Sequence, residues 1–158
     1  MVTKSALLKA SIAGSLFLIG AQAYADVVQF KPRVGYHYVD SNENSVALDN
    51  VGNPVVTFSG NGKFTIQYAA SCGVFYDNGA HMDIDIKVDG LPLLPTGGND
   101  NDAFCSRYDN INGFAMNTAS GRTVTLNAGT HTVEIRARIV GPANSYGYLA
   151  HSSLTILK

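Results

Sequence analysis

Asn99-Asp100-Asn101-Asp102 places four oxygen-bearing side chains in a row, directly after Gly97-Gly98. Ca²⁺ takes about six to eight hard oxygen ligands in flexible geometry, and a loop of this kind can wrap it. The four residues lack the spacing of a helix–loop–helix calcium site. Asn and Asp also fill loops simply because they tolerate turn backbones. Calcium on Asn99, Asp100, Asn101 and Asp102 is therefore a candidate, against a default expectation of no cofactor. A second acidic set, Asp83, Asp85 and Asp89, shares one face of an alternating run. Carboxylates at i and i+2 can hold a cation if a loop adds further oxygens. The plainer expectation is a solvated strand face whose charge is balanced across the sheet, because Arg136 and Arg138 alternate in the same way.

Catalytic chemistry finds little to work with. His37, His81, His131 and His151 fall into no H-x-H or H-E-x-x-H spacing. His131 follows Gly129-Thr130 at the start of a strand pattern, where a structural hydrogen bond is the expected role. There is no G-x-S-x-G nucleophile elbow. Glu43 and Glu134, the only glutamates, sit in a polar turn and an alternating strand, contexts that do not suggest the carboxylate pair of a glycosidase. Two cysteines do not make a structural zinc site. No catalytic residue is assigned. Tyrosine offers more. Tyr36, Tyr38, Tyr76, Tyr108, Tyr146 and Tyr148 lie in or beside loop-like segments, where a flat apolar ring with a polar tip suits recognition. Tyr76, Asp77, Tyr108, Tyr146 and Tyr148 are the candidate ligand-binding residues. Tyr68, inside an apolar alternation, is expected in the core, and Tyr36 and Tyr38 fit core and surface equally. The absence of tryptophan counts against a broad sugar-stacking platform.

What must position these residues is a chain of 158 residues whose first 25 resemble no part of a fold. Lys4 and Lys9 make a basic start, residues 10–20 an apolar centre, and Ala23-Tyr24-Ala25 a small-residue cleavage site. Together they describe a secretory signal peptide, so residues 1–25 are expected to be removed and the protein exported to the periplasm, the cell surface or the medium. Residues 26–158 then form one domain, large enough to bury roughly two-thirds of its unfolded surface. Without Lys4 and Lys9, nine basic residues face twelve acidic ones, a formal charge of −3. That balance gives nucleic acid no electrostatic reason to bind. In an oxidising compartment Cys72 and Cys105 are expected to form one disulfide, which would add about 3–4 kcal/mol by chain entropy.

The elements read as strands. Met82, Ile84, Ile86 and Val88 alternate with Asp83, Asp85 and Lys87, and the run turns at Asp89-Gly90. Val133, Ile135, Ala137 and Ile139 alternate with Thr132, Glu134, Arg136 and Arg138. A period of two fits half-buried strands and no helix. Further strands are expected over 55–58, 63–70, 103–108, 114–118, 123–126 and 148–157, with a short one over 45–48. Turns are expected at Ser59-Gly60-Asn61-Gly62, Ala119-Ser120-Gly121 and Asn127-Ala128-Gly129. Pro32 demotes the first segment, from Val27, to an edge or bulged strand. If the strands around Tyr68 and Ile84 form a hairpin, residues 91–104 must return much of its length for Cys105 to meet Cys72. Eight to ten short antiparallel strands, each with one apolar face, indicate an all-β sandwich, jelly-roll-like at this length. A small outer-membrane barrel alternates similarly, but most runs here are too short for a span and no tryptophan supplies an aromatic girdle.

Several pieces fall into one order: Ala69-Ala70-Ser71-Cys72, the run from Asp83 to Gly90, Pro95-Thr96, Ala103-Phe104-Cys105, the run from Ala128 to Ile135, and Ser153-Leu154-Thr155-Ile156-Leu157. This order resembles a group of uncharacterised exported bacterial proteins with a single β-sandwich domain. More weakly it is similar to jelly-roll domains of the complement and tumour-necrosis-factor type. The resemblance covers roughly residues 60–157 and rests on structural motifs rather than site motifs. It implies a jelly roll with one disulfide and no particular activity. The function class expected is a non-catalytic recognition module, with a ligand surface from loops 73–80, 91–102 and 141–147 and an unknown ligand, carbohydrate or cell-surface by fold analogy alone. The alternatives are a structural or assembly subunit of a surface layer, fibre or trimer, in which the partner is a second copy, and an enzyme of unrecognised type.

Overall fold

The computed structural model describes residues 25–75, 79–94, 103–106 and 116–158, with side chains from residue 119 in the last stretch. Residues 1–24 of the expected leader over 1–25, together with Tyr76, Asp77, Asn99, Asp100, Asn101, Asp102 and Tyr108, lie outside the described residues. What is described is all β and antiparallel. The strands are β1 (Val27–Pro32), β2 (Tyr36–Val39), β3 (Asn44–Ser45), β4 (Val55–Phe75), β5 (His81–Val88), β6 (Leu91–Pro92), β7 (Cys105–Ser106), β8 (Met116–Val140) and β9 (Tyr146–Leu157). They join in the order β1-β9-β4-β8-β5-β6, with β2 beside β9, β3 beside β8 and β7 beside β5, and the sheet does not close on itself.

Two strands are far longer than the short runs expected: β4 has 21 residues and β8 has 25. They pair with each other from Val55↔Glu134 to Cys72↔Met116. The expected turns at Ser59-Gly60-Asn61-Gly62 and Asn127-Ala128-Gly129 are one paired feature instead. The register steps from Gly60↔Gly129 to Gly62↔Leu126, so β8 carries an extra residue opposite Asn61. The same Asn/Gly chemistry that serves a hairpin also serves a bulge, and a bulge bends two strands together instead of reversing one. Gly62 takes a φ of +96°, and a side-chain carbon on Gly60 would stand 2.7 Å from the Phe64 ring. Both strands therefore cross a corner at which one layer becomes the other. Ala119-Ser120-Gly121, also expected as a break, runs through β8 without interruption.

The first layer holds residues 55–60 of β4, 129–140 of β8, and β5 with its small partners. The second holds residues 62–75 of β4, 116–126 of β8, β9, β1 and β2. Their inner faces form one core: Phe58, Met82, Ile84, Ile86, Val133, Ile135 and Ile139 from the first, Phe64, Ile66, Tyr68, Leu149, Leu154 and Ile156 from the second. Phe58 and Phe64 meet edge-on across the corner, centroids 5.2 Å apart. Tyr68 is core, as its alternation predicts, with its hydroxyl pKa pushed up to about 12 by burial.

A hairpin of β4 and β5 does not form, because β8 lies between them. The return of the chain does occur. After the Asp89-Gly90 turn, where both residues take positive φ (51° and 79°), β6 pairs with Lys87 and Val88, and β7 pairs with His81 and Met82 at the other end of β5. Two successive positive φ values are what a two-residue hairpin of the favoured twist requires. Cys105 thus reaches Cys72, and their disulfide joins the layers with Cα atoms 6.5 Å apart. The first segment is an edge as Pro32 demands: β1 is bulged at Val27/Gln29 and, like β2, pairs with β9 alone. At the opposite edge, residues 116–126 of β8 pair only with β4 among the described residues. Arg122, opposite inward-facing Ile66, lies on the inner side of that edge, a device that discourages further strand pairing.

Candidate functional site

Period-two spacing puts Tyr36 and Tyr38 on one face of β2, and Tyr146 and Tyr148 on one face of β9. Register does the rest. Tyr38 stands opposite Tyr148, and Phe75, at the end of β4, stands opposite Tyr146. The four rings meet on the outer face of the second layer. Tyr146 stacks on Phe75 (5.3 Å, 18°) and on Tyr38 (5.7 Å, 26°), so three near-parallel rings cross the sheet in a row. Tyr148 stands edge-on to each, at 5.5–6.0 Å and 70–90°. Offset stacks and edge-on contacts are the favoured arrangements of ring quadrupoles. The row ends at Tyr38, which is 52% exposed on an edge strand. Beyond it Tyr36, 62% exposed, meets the His151 ring at 6.5 Å.

These four residues bring no charge to the site. His37, on the inner side of β2, is held below its ordinary pKa by burial and then by Arg33, which keeps it neutral at pH 7. A row of rings with phenol tips can take an apolar ring face and offer hydrogen bonds at its rim. Of the residues expected to bind ligand, Tyr146 and Tyr148 are brought together here. Tyr38 and Phe75 complete the site. The Y-x-Y spacing of Tyr36 and Tyr38 already announces a shared face; Phe75 carries no such signal, since its place depends on how β4 pairs with β9.

The acidic set is divided. Asp83 faces Arg138 and Asp85 faces Arg136 across the β5–β8 ladder, the cross-strand balance expected from their alternation. Lys87 reaches Glu43 at 2.7 Å, and Arg136 reaches Glu134 at 2.8 Å, which also accepts a hydrogen bond from the Ser45 hydroxyl. The bond from Lys87 is the main reason Glu43 lies below its ordinary pKa. Asp83 departs from the expected solvated face. It is only 2% exposed, with His81 Nε2 at 3.3 Å and Arg138 Nε at 3.8 Å. Asp89 does not share that strand face at all: it forms the turn and binds His131. Among the described residues no three His, Cys, Asp or Glu side chains gather as metal ligands do.

His131 forms a His–carboxylate pair with a short contact, its Nδ1 2.8 Å from Asp89 Oδ2. Its other nitrogen, Nε2, lies 2.9 Å from the Asn127 carbonyl. Both nitrogens are therefore engaged by oxygens, and neither is left to accept a proton from a substrate. The structural hydrogen bond expected of this histidine is present twice. No family model matches the chain, and no curated protein matches it at a significant level.

Proposed function

We propose that the protein is an exported, non-catalytic recognition module that binds a neutral carbohydrate on the open end of its aromatic row. The observation that carries this is the row itself: Phe75, Tyr146 and Tyr38 stack in sequence, and the last ring is half exposed on an edge strand. A pyranose laid on Tyr38 would extend the stack by one member, with the phenol tips of the row as rim hydrogen-bonding groups. The engagement of both His131 nitrogens supports a binding role over a catalytic one. The ligand surface is then a sheet face at one end of the second layer rather than loop tips alone, and needs no calcium. Binding to a printed glycan array, run with and without EGTA, tests it. The expected result is binding that survives EGTA and falls about tenfold in Tyr38→Ala, the effect of losing roughly 1.4 kcal/mol of stacking. Binding unchanged in Tyr38→Ala would sink the site.

A second reading, assembly with further copies, is favoured by a specific feature. Val27, Phe30 and Val34 are 62%, 56% and 67% exposed along the same edge as Tyr36. Exposed apolar side chains mark interfaces where they gather in one patch. Light scattering at high concentration separates the two: a monomer leaves only the recognition reading standing.

A further inference from the structure

We infer that His131 is a proton-dependent latch: as an imidazolium it ties the Asp89-Gly90 turn to the corner between the layers through both ring nitrogens, and on losing its proton it gives up one of those two links. This goes beyond the recognition reading and does not depend on it. The geometry carries the inference. The Asn127 carbonyl oxygen can only accept, so Nε2 at 2.9 Å must bear a hydrogen. Asp89 Oδ2 is 2.8 Å from Nδ1, while Asp89 Oδ1 already accepts from the Thr132 amide at 2.8 Å and from its hydroxyl at 3.3 Å. A carboxylate so engaged is ionised and also only accepts, so Nδ1 bears a hydrogen as well. Neutral histidine has one N–H, and either tautomer would aim a lone pair at an oxygen.

The pair spans three segments of chain. Asp89, at a φ of +51°, is the first residue of the β5–β6 turn, and its amide donates to the Thr132 carbonyl at 3.0 Å. Asn127 belongs to the bulge in β8. Across the corner, Phe58 of β4 lies 5.6 Å from the imidazole, and the Gly60 carbonyl adds a further acceptor. Asp89 is the charged group that faces the ring: β4 presents Phe58 and Gly60, and β8 presents Asn127 and Gly129. The nearest ionisable residues along the outer ladder, Lys87 and Glu134, contact Glu43 and Arg136.

The sign follows from the two partners. Asp89, and then Asn127, raise His131 above 6.5, so its contribution is fully present below that value and is lost as pH rises through the raised pKa. His131, and then the Thr132 amide, lower Asp89 below 3.8, so its contribution is present above that value and is lost as pH falls through the lowered pKa. The latch therefore holds in full through mildly acid conditions and loosens on the alkaline side.

Long-range ¹H–¹⁵N NMR of the wild-type protein tests this at about pH 6.5 and upward. Both ring nitrogens of His131 should carry protons there, and should lose one only at higher pH than His37, whose shift runs the other way. In parallel, urea midpoints of the wild type and His131→Gln should differ most at about pH 5–6 and converge as pH rises through the raised pKa of His131. A neutral ring with one protonated and one bare nitrogen at pH 6.5 would overturn the inference. So would a midpoint difference independent of pH. If His131→Gln fails to fold, the wild-type spectrum alone decides.

Discussion

The two outer faces of this protein share the strands β4 and β8 and could hardly differ more. On the first layer the outward residues of β5 and β8 are Asp83, Asp85, Lys87, Glu134, Arg136 and Arg138, set opposite one another with opposite sign. On the second, the outward residues opposite one another are Thr65 and Thr123, Gln67 and Gly121, Ala69 and Ala119, giving way at one end to Phe75, Tyr146, Tyr148 and Tyr38. The first face sets each acid opposite a base across the ladder, so its charges balance within the face. The second has little of its own to satisfy: small uncharged side chains in the middle and a row of rings that stops at an edge. A surface that is internally complete is structural; one that ends in an exposed ring is open to a partner. That contrast, more than any single residue, locates the candidate site.

The contrast can be broken at its clamp. Cys72 and Cys105 tie the two layers and stand 33 positions apart in the chain. Replacing both by serine should cost about 3–4 kcal/mol in urea unfolding, through the freedom regained by the unfolded chain. The corner comes next. Gly60→Ala would push a carbon to 2.7 Å from the Phe64 ring, which is buried in the core, and should cost about 1–3 kcal/mol. On the charged face, Arg138→Ala removes a cation from beside a carboxylate that is only 2% exposed. That should cost about 1–2 kcal/mol, visible as a lower unfolding midpoint. On the neutral face Gln67→Ala, an exposed residue, should stay within about 0.5 kcal/mol of the parent. A large loss at Gln67 with none at Arg138 would reverse the comparison.

Much of this fold is legible in the sequence because each layer repeats a period of two. Met82 to Val88 and Val133 to Ile139 predict their inner and outer faces correctly, and Asp89-Gly90 predicts its turn. The pairing of Cys72 with Cys105 follows from arithmetic. What the sequence hides is the corner. Asn and Gly at 60–62 and 127–129 report a need for unusual backbone, and nothing local distinguishes a reversal from a bulge shared by two strands. With the corner misread, β4 and β5 look like neighbours, whereas β8 runs between them. The site was half legible for a related reason. Tyr146 and Tyr148 stand out by composition, but their contact with Tyr38 and Phe75 is a matter of register between strands separated by more than 70 residues in the chain. Burial of Asp83 was not legible at all, since its alternation says only which way it points.

The most direct measurement compares single changes on the two faces in one binding experiment: glycan-array binding of the wild type, Tyr38→Ala and Lys87→Ala. The account predicts that Tyr38→Ala loses about tenfold in affinity while Lys87→Ala binds as the wild type does. Loss of binding in Lys87→Ala with Tyr38→Ala unaffected would contradict it and place the ligand on the charged face.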